Sequence, residues 1–190
     1  MRNRTLFSFL SCAALVLLVA CGGGSSKPAP KPVTSASKLV YTDPTSGDYR
    51  LVKDSSSTDT HLVLNLMGPS TGTLGRGVAF YLNTDSALVT WSKVASADAE
   101  FAQGPLFTDK LKTKVTGGEL QVGSFQKGRG AAAANIGATT VLAHVALDLK
   151  TGTTPGAVSL ASPADKAVLI PDTGDALTPI AITAGTLLAQ

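Results

Sequence analysis

From Leu39 onward, apolar residues recur at every second position in short runs, and each run is closed by Gly, Pro, Asn, Asp or Ser. A repeat of two sends alternate side chains to opposite faces of an extended strand, whereas a helix needs a repeat near 3.6. Thr139–Lys150 shows it best: Val141, Ala143, Val145, Leu147 and Leu149 fall on one face, and His144, Asp148 and Lys150 on the other. Leu62, Leu64 and Leu66 alternate with Val63 and Asn65. Val78, Phe80 and Leu82 share a face, as do Ala87, Val89 and Trp91. The spacing also predicts strands at 39–41 and 49–52, joined as a hairpin across Pro44 and Gly47. Strands at 107–115 and 119–125 flank Gly117-Gly118, a strong hairpin signal. Further strands fall at 157–160, 167–170 and 180–183, the last being the final paired segment. Residues 95–103 fit one helical turn or an irregular crossover. No amphipathic helix of ordinary length competes. The reading is all-β: an antiparallel β-sandwich of jelly-roll or immunoglobulin-like type with about nine to ten strands.

The first 37 residues are of another kind. Arg2 and Arg4 precede a 15-residue apolar run, Leu6–Ala20, shorter than the roughly 20 residues that span a bilayer as a helix. Gly-Gly-Gly-Ser-Ser follows it, with no basic stop-transfer cluster, which is the layout of a secretory signal peptide. Leu18-Val19-Ala20-Cys21 stands where the cleavage site should be and resembles the lipobox of bacterial lipoproteins. The resemblance implies that residues 1–20 are removed and that Cys21 is acylated, with palmitate-type chains, and holds the protein to a membrane. Gly22 is not the aspartate that retains such proteins in the inner membrane of enteric-type envelopes, so the outer membrane is implied, its periplasmic and surface faces both open. Residues 22–37, GGGSSKPAPKPVTSAS, are too poor in apolar groups to order themselves and read as an extended linker. With Cys21 they separate the signal peptide from one domain, 38–190.

Without Arg2 and Arg4 the chain has 14 basic and 13 acidic residues, a balance that gives no electrostatic case for nucleic acid. Both cysteines, Cys12 and Cys21, precede residue 38. The domain is therefore expected to use neither a disulfide nor a thiol.

The order of motifs within the domain is informative. Leu62-Val63-Leu64-Asn65-Leu66 is followed by Gly75-Arg76-Gly77-Val78-Ala79-Phe80-Tyr81-Leu82, Asn83-Thr84-Asp85 and Leu88-Val89-Thr90-Trp91. Later come Thr140-Val141-Leu142-Ala143-His144-Val145, Pro155-Gly156-Ala157-Val158-Ser159-Leu160 and Ala164–Leu169. Over roughly residues 58–170 this resembles cohesin domains and their relatives among carbohydrate-binding-module sandwiches. The resemblance implies a non-catalytic module that holds a protein partner or a cell-surface glycan. A single copy behind a lipid anchor departs from cellulosomal arrays, and no residue matches a dockerin-contacting set. The alternative is a structural subunit of an envelope secretion, pilus or adhesion assembly that pairs through a strand edge.

Candidate site residues are few. His61 and His144 are expected outward and solvated, without the convergent ligands a metal needs. No Gly-x-Ser-x-Gly elbow is present, so no catalytic residue is assigned. Asp43, Asp48, Asp85, Asp165, Asp172 and Asp175 sit in turns, where carboxylates cap backbone or bind calcium; the EF-hand spacing is missing and capping is the simpler reading. Gly75/Gly77 and Gly128/Gly130 flank arginines and suit turns or bulges. Lys110, Lys112 and Lys114 share one strand face, with Lys127 and Arg129 a hairpin away. They form either a patch for anionic polysaccharide or lipid headgroups or, more simply, a lysine-defended edge strand. Tyr41, Tyr49 and Tyr81 are the aromatics expected outside, where they would stack on sugars, while Trp91 is expected in the core. The candidate binding surface is thus Tyr81, Lys110, Lys112, Lys114, Lys127 and Arg129, with no metal and no cofactor.

Overall fold

In the computed structural model, which describes residues 34–127, 132–172 and 176–190, the alternation resolves into sixteen strands. The first eight are β1 (Leu39–Thr42), β2 (Tyr49–Lys53), β3 (His61–Met67), β4 (Thr73–Thr84), β5 (Val89–Ser92), β6 (Ala102–Gln103), β7 (Lys110–Thr116) and β8 (Glu119–Phe125). The second eight are β9 (Ala134–Ile136), β10 (Val141–Leu149), β11 (Gly156–Val158), β12 (Leu160–Ala161), β13 (Ala167–Pro171), β14 (Thr178–Pro179), β15 (Ile182–Thr183) and β16 (Thr186–Ala189). Ten have four or more residues, which matches the nine to ten expected; the others are short pairings that alternation cannot register.

Two sheets face each other. One runs β15-β2-β3-β10-β5, with β6 also on β10; the other runs β14-β13-β4-β8-β7, with β9 and β12 also on β4. A third sheet, β1-β16-β11, closes one side. Every pairing is antiparallel except β15 with β2. Leu51, Leu62, Leu64, Leu66, Val145 and Leu147 from the first large sheet meet Val78, Phe80, Leu82, Leu120 and Val122 from the second in one buried cluster. Burying such side chains is worth roughly 1.5–3 kcal/mol each.

Several expectations need correcting. The segments at 39–41 and 49–52 do not form a hairpin: β1 pairs with β16 and β2 with β3, in different sheets. The final paired segment is β16, not 180–183, because the C-terminal strand fills the gap between β1 and β11. Residues 157–160 change sheets at Ser159, so one run becomes β11 and β12. A bulge between Val141 and Ala143 turns Leu142 fully inward and leaves Val141 half-buried. Val63, assigned to the outer face, is buried as well. The Ser57 hydroxyl bonds both its N–H and its C=O, and the 93–103 crossover, which is irregular and not helical, runs over the same face. Ala87 lies in a turn and is exposed.

The hairpin at Gly117-Gly118 is as expected, with Thr116 opposite Glu119 and a positive φ of 59° at the first turn residue alone, the pattern of a type II′ turn. A Cβ at Gly118 would lie 2.2 Å from the Thr84 carbonyl oxygen, so the turn packs on β4 only with glycine there. The Gly118 carbonyl accepts the Trp91 indole N–H at 2.8 Å and the Thr84 N–H at 2.9 Å.

Tyr41 and Tyr49 are buried in the core, not exposed. The Tyr41 hydroxyl donates to the Leu51 carbonyl at 2.9 Å and accepts the Gly185 N–H at 2.6 Å, and burial pushes its pKa up to about 12. Tyr41→Phe leaves both partners unpaired inside the fold. It should lower the free energy of unfolding by about 1–3 kcal/mol in a denaturant titration, with no change in slope.

Candidate binding face

The inward residues of β4 determine its outward ones. With Val78, Phe80 and Leu82 buried, Gly77, Ala79 and Tyr81 turn to the other face. Register carries that face across the sheet. Tyr81 stands opposite Gln121, and Gln121 opposite Lys114; Ala79, Gly123 and Lys112 form the next row, and Gly77, Phe125 and Lys110 the third. On the other flank Val168 lies opposite Ala79 and Ile170 opposite Gly77. Thr178 pairs with Leu169, which brings Leu177 in beside Ile170.

Apart from Lys110 at its edge, the third row is apolar. A Cβ at Gly77 would lie 2.5 Å from the Phe125 Cβ and 2.9 Å from the Ile170 Cδ1, so these two side chains close over bare backbone. Among the described residues the exposed large apolar side chains are Leu74 (51%), Phe125 (37%) and Leu177 (59%), and all three come to this end of the seven-stranded sheet. The bulge at Arg76, between Gly75 and Gly77, confirms the bulge reading of that glycine pair. Gly128 and Gly130 lie outside the described residues.

The basic rim follows from β7, whose Lys110, Lys112 and Lys114 all point outward. Lys112 pairs with Glu100 at 2.9 Å, while Lys110 and Lys114 have no carboxylate partner among the described residues. Lys127 is exposed, and its N–H bonds the Asp109 carboxylate at 2.9 Å, which holds it beside the start of β7. Tyr81 is half-buried, with the Lys166 ammonium 5.5 Å from its ring centroid, a cation–π distance. Ala79, Tyr81, Lys112, Lys114, Gln121 and Gly123 line a shallow depression. Tyr81 and the lysines are therefore brought together; Arg129 and Cys21 lie outside the described residues. Phe125 was missed, although alternation gave its face: Gln121, Gly123 and Phe125 oppose Leu120 and Val122.

No protein-family model matches the sequence, and no curated protein matches it. Solved structures do. A type II cohesin domain from the cellulosome of Acetivibrio cellulolyticus superposes with a TM-score of 0.52 at 12% identity, over 74% of this chain and 94% of that one. The sixth cohesin of scaffoldin B from the same organism, solved with a mutant Cel5 dockerin, gives 0.49 at 14% identity, over 73% and 96%. The first of these comparisons decides the architecture. The chain has a cohesin-like fold.

In this cohesin-like domain the histidines are not the solvated residues expected. His61 Nδ1 lies 2.6 Å from Asp148 Oδ1, and its Nε2 lies 3.2 Å from the Val94 carbonyl. Ser92 Oγ is 3.5 Å from the same Nδ1. Serine and aspartate thus share one ring nitrogen while the other faces a backbone carbonyl, which is not the arrangement that relays a proton from a nucleophile. His144 is half-buried, and burial holds its imidazole below the usual range, opposed by the Asp54 carboxylate. Its Nδ1 donates to Asn65 Oδ1 at 2.5 Å, since the Asn65 amide N–H is committed to Asp54 Oδ2 at 2.8 Å.

Two of the turn aspartates serve the backbone and a third pairs with a side chain. Asp43 accepts the Lys53 N–H, Asp85 the Ala87 N–H, and Asp172 the Arg76 guanidinium at 2.8 Å. Asp48 and Asp165 are exposed, and Asp175 lies outside the described residues. Among the described residues no three His, Cys, Asp or Glu side chains come together as a metal site.

Asp54 is pulled down to about 2 by the Ser56 hydroxyl, then the Ser56 N–H and the Asn65 amide. Because the folded value lies below the unfolded one of about 4, its contribution is complete above that pH and is lost as pH falls towards 2. The stability difference between wild type and Asp54→Ala should therefore be largest at pH 6 and shrink by pH 2.5, as followed by urea unfolding at both.

Proposed function

We propose that this chain is a non-catalytic binding module that takes a protein partner on the outer face of its seven-stranded sheet, displayed on a linker from a lipid at Cys21 on the outer membrane. The observation that carries the reading is the convergence of Leu74, Phe125 and Leu177 on one end of a face rimmed by Lys110, Lys112 and Lys114. Exposed apolar side chains gathered beside charge mark an interaction surface, whereas scattered ones carry no such meaning. A rigid sheet face also binds with little ordering cost. The cohesin-like architecture agrees with this reading at the level of fold. A sugar-binding reading has less support, since Tyr41 and Tyr49 are buried and Phe125, the other aromatic on Tyr81's face among the described residues, stands two rows away from it.

Crosslinked recovery of partners from envelope fractions tests the face. Phe125→Asp and Lys114→Glu should each lose the partner that wild type recovers, while Thr90→Glu, exposed on the six-stranded sheet, should keep it. Equal recovery by all four proteins would remove this face from consideration. The anchor is tested separately: Cys21→Ala should abolish palmitate labelling and move the protein from the membrane to the soluble envelope fraction. Labelling that survives the substitution would refute acylation at Cys21.

A further inference from the structure

β7 is the free edge of the seven-stranded sheet, and its register determines which backbone groups look outward. Thr116 and Glu119 flank the two-residue turn as a hydrogen-bonded pair. Stepping by two, Lys114, Lys112 and Lys110 bond to β8, and Leu111, Thr113 and Val115 turn their N–H and C=O groups away from it. Such a row is a template for a further strand.

The middle position is occupied. Glu100 accepts the Thr113 N–H at 3.0 Å and the Thr113 hydroxyl at 2.7 Å, and its other oxygen takes the Lys112 ammonium at 2.9 Å. The Phe101 N–H donates to Thr113 Oγ1 at 3.0 Å. The carboxylate stands where a neighbouring strand's carbonyl would stand. On either side, the Leu111 and Val115 N–H groups have no partner among the described residues. The crossover that carries Glu100, residues 93–109, is held elsewhere by Val94 on His61, by the two-residue β6 on β10 and by the buried Phe107, whose carbonyl accepts the Ser124 hydroxyl, while Asp98 braces it internally through Ala95 and Gln103. A shallow hollow lined by Glu100, Gly104, Thr108 and Leu111 lies where the crossover meets the start of β7.

We propose that this crossover is a releasable guard, and that once Glu100 lets go, β7 accepts an extended segment bearing acidic residues at alternate positions. The charge pattern selects that occupant. Side chains of an added strand lie beside Lys110, Lys112 and Lys114, and release of Glu100 leaves Lys112 without its counter-charge. A second copy of β7 would set lysine against lysine.

The test uses the full chain as wild type and Glu100→Ala, with a synthetic heptapeptide alternating Glu with Thr and Val, and its counterpart with Lys for Glu. In Glu100→Ala, amide exchange at Thr113 should speed up by about tenfold or more. The Glu peptide should bind about tenfold more tightly than to wild type and protect Leu111, Thr113 and Val115, while the Lys peptide binds neither. Unchanged exchange at Thr113, or raised exchange without Glu-peptide binding, overturns the proposal. So does a Glu100→Ala dimer that protects the same amides, since it would make a second copy the occupant. Should Glu100→Ala not fold, Thr113→Val removes the hydroxyl's bonds and keeps the N–H; it should raise exchange at Phe101 and Thr113, and no rise refutes the guard.

Discussion

The two large sheets meet through side chains that have almost no hydrogen-bonding capacity, so the fold depends on apolar burial in the middle and on polar ties at the rim. Among the described residues of polar type only Ser124 and Thr153 are buried, and each turns its hydroxyl to backbone carbonyls: Ser124 to Phe107, and Thr153, with one proton shared, to Leu88 and Lys150. Trp91 reaches from the six-stranded sheet to the Gly118 carbonyl on the hairpin of the other. Tyr41 reaches from the closing sheet to the Leu51 carbonyl. The interior is non-directional and tolerates sliding, so these directional bonds fix how the sheets are set against each other.

How far the sequence was legible follows from the same division. Period-two burial identified the inward faces of β3, β4 and β10, because each residue there answers to one local rule. Alternation says nothing of which strand pairs with which. β1 and β2 looked like a hairpin because they are neighbours in sequence, yet the C-terminal strand, more than 140 residues on, competes successfully for β1. The bulge at Leu142 was equally invisible, since one extra residue shifts the phase without changing composition. The candidate face was half legible: Tyr81 and the lysine row followed from alternation, while Leu177 joins them only through the pairing of β14 with β13.

The outer faces of the two sheets have been spent differently. On the six-stranded sheet the loop at Ser57 and the 93–103 crossover cover Val63, and His61, Asp148, Asn65 and His144 bond to one another or to Asp54. Their polar groups are satisfied internally, which leaves little for a partner. The seven-stranded sheet shows the reverse, with small residues in its centre at Ala79 and Gly123 and large ones at its margin, where Phe125 and Ile170 close over Gly77. Small central residues give a partner access to a flat surface at no loss of side-chain entropy.

A lysine row on an edge strand suits either a binding patch or edge protection, and the geometry makes these compatible. Side chains on a strand project from the faces of the sheet, whereas its unpaired amides lie in the plane. Lys110, Lys112 and Lys114 therefore shape the face directly and discourage edge pairing only by charge. The in-plane protection comes from Glu100, a residue the alternation pattern had no means of placing. Its carboxylate is held below the usual range first by Thr113 and then by Lys112, so it stays ionised where an N–H must be matched. One acidic side chain thereby joins face and edge: it engages the middle lysine of the face and closes the middle amide of the edge.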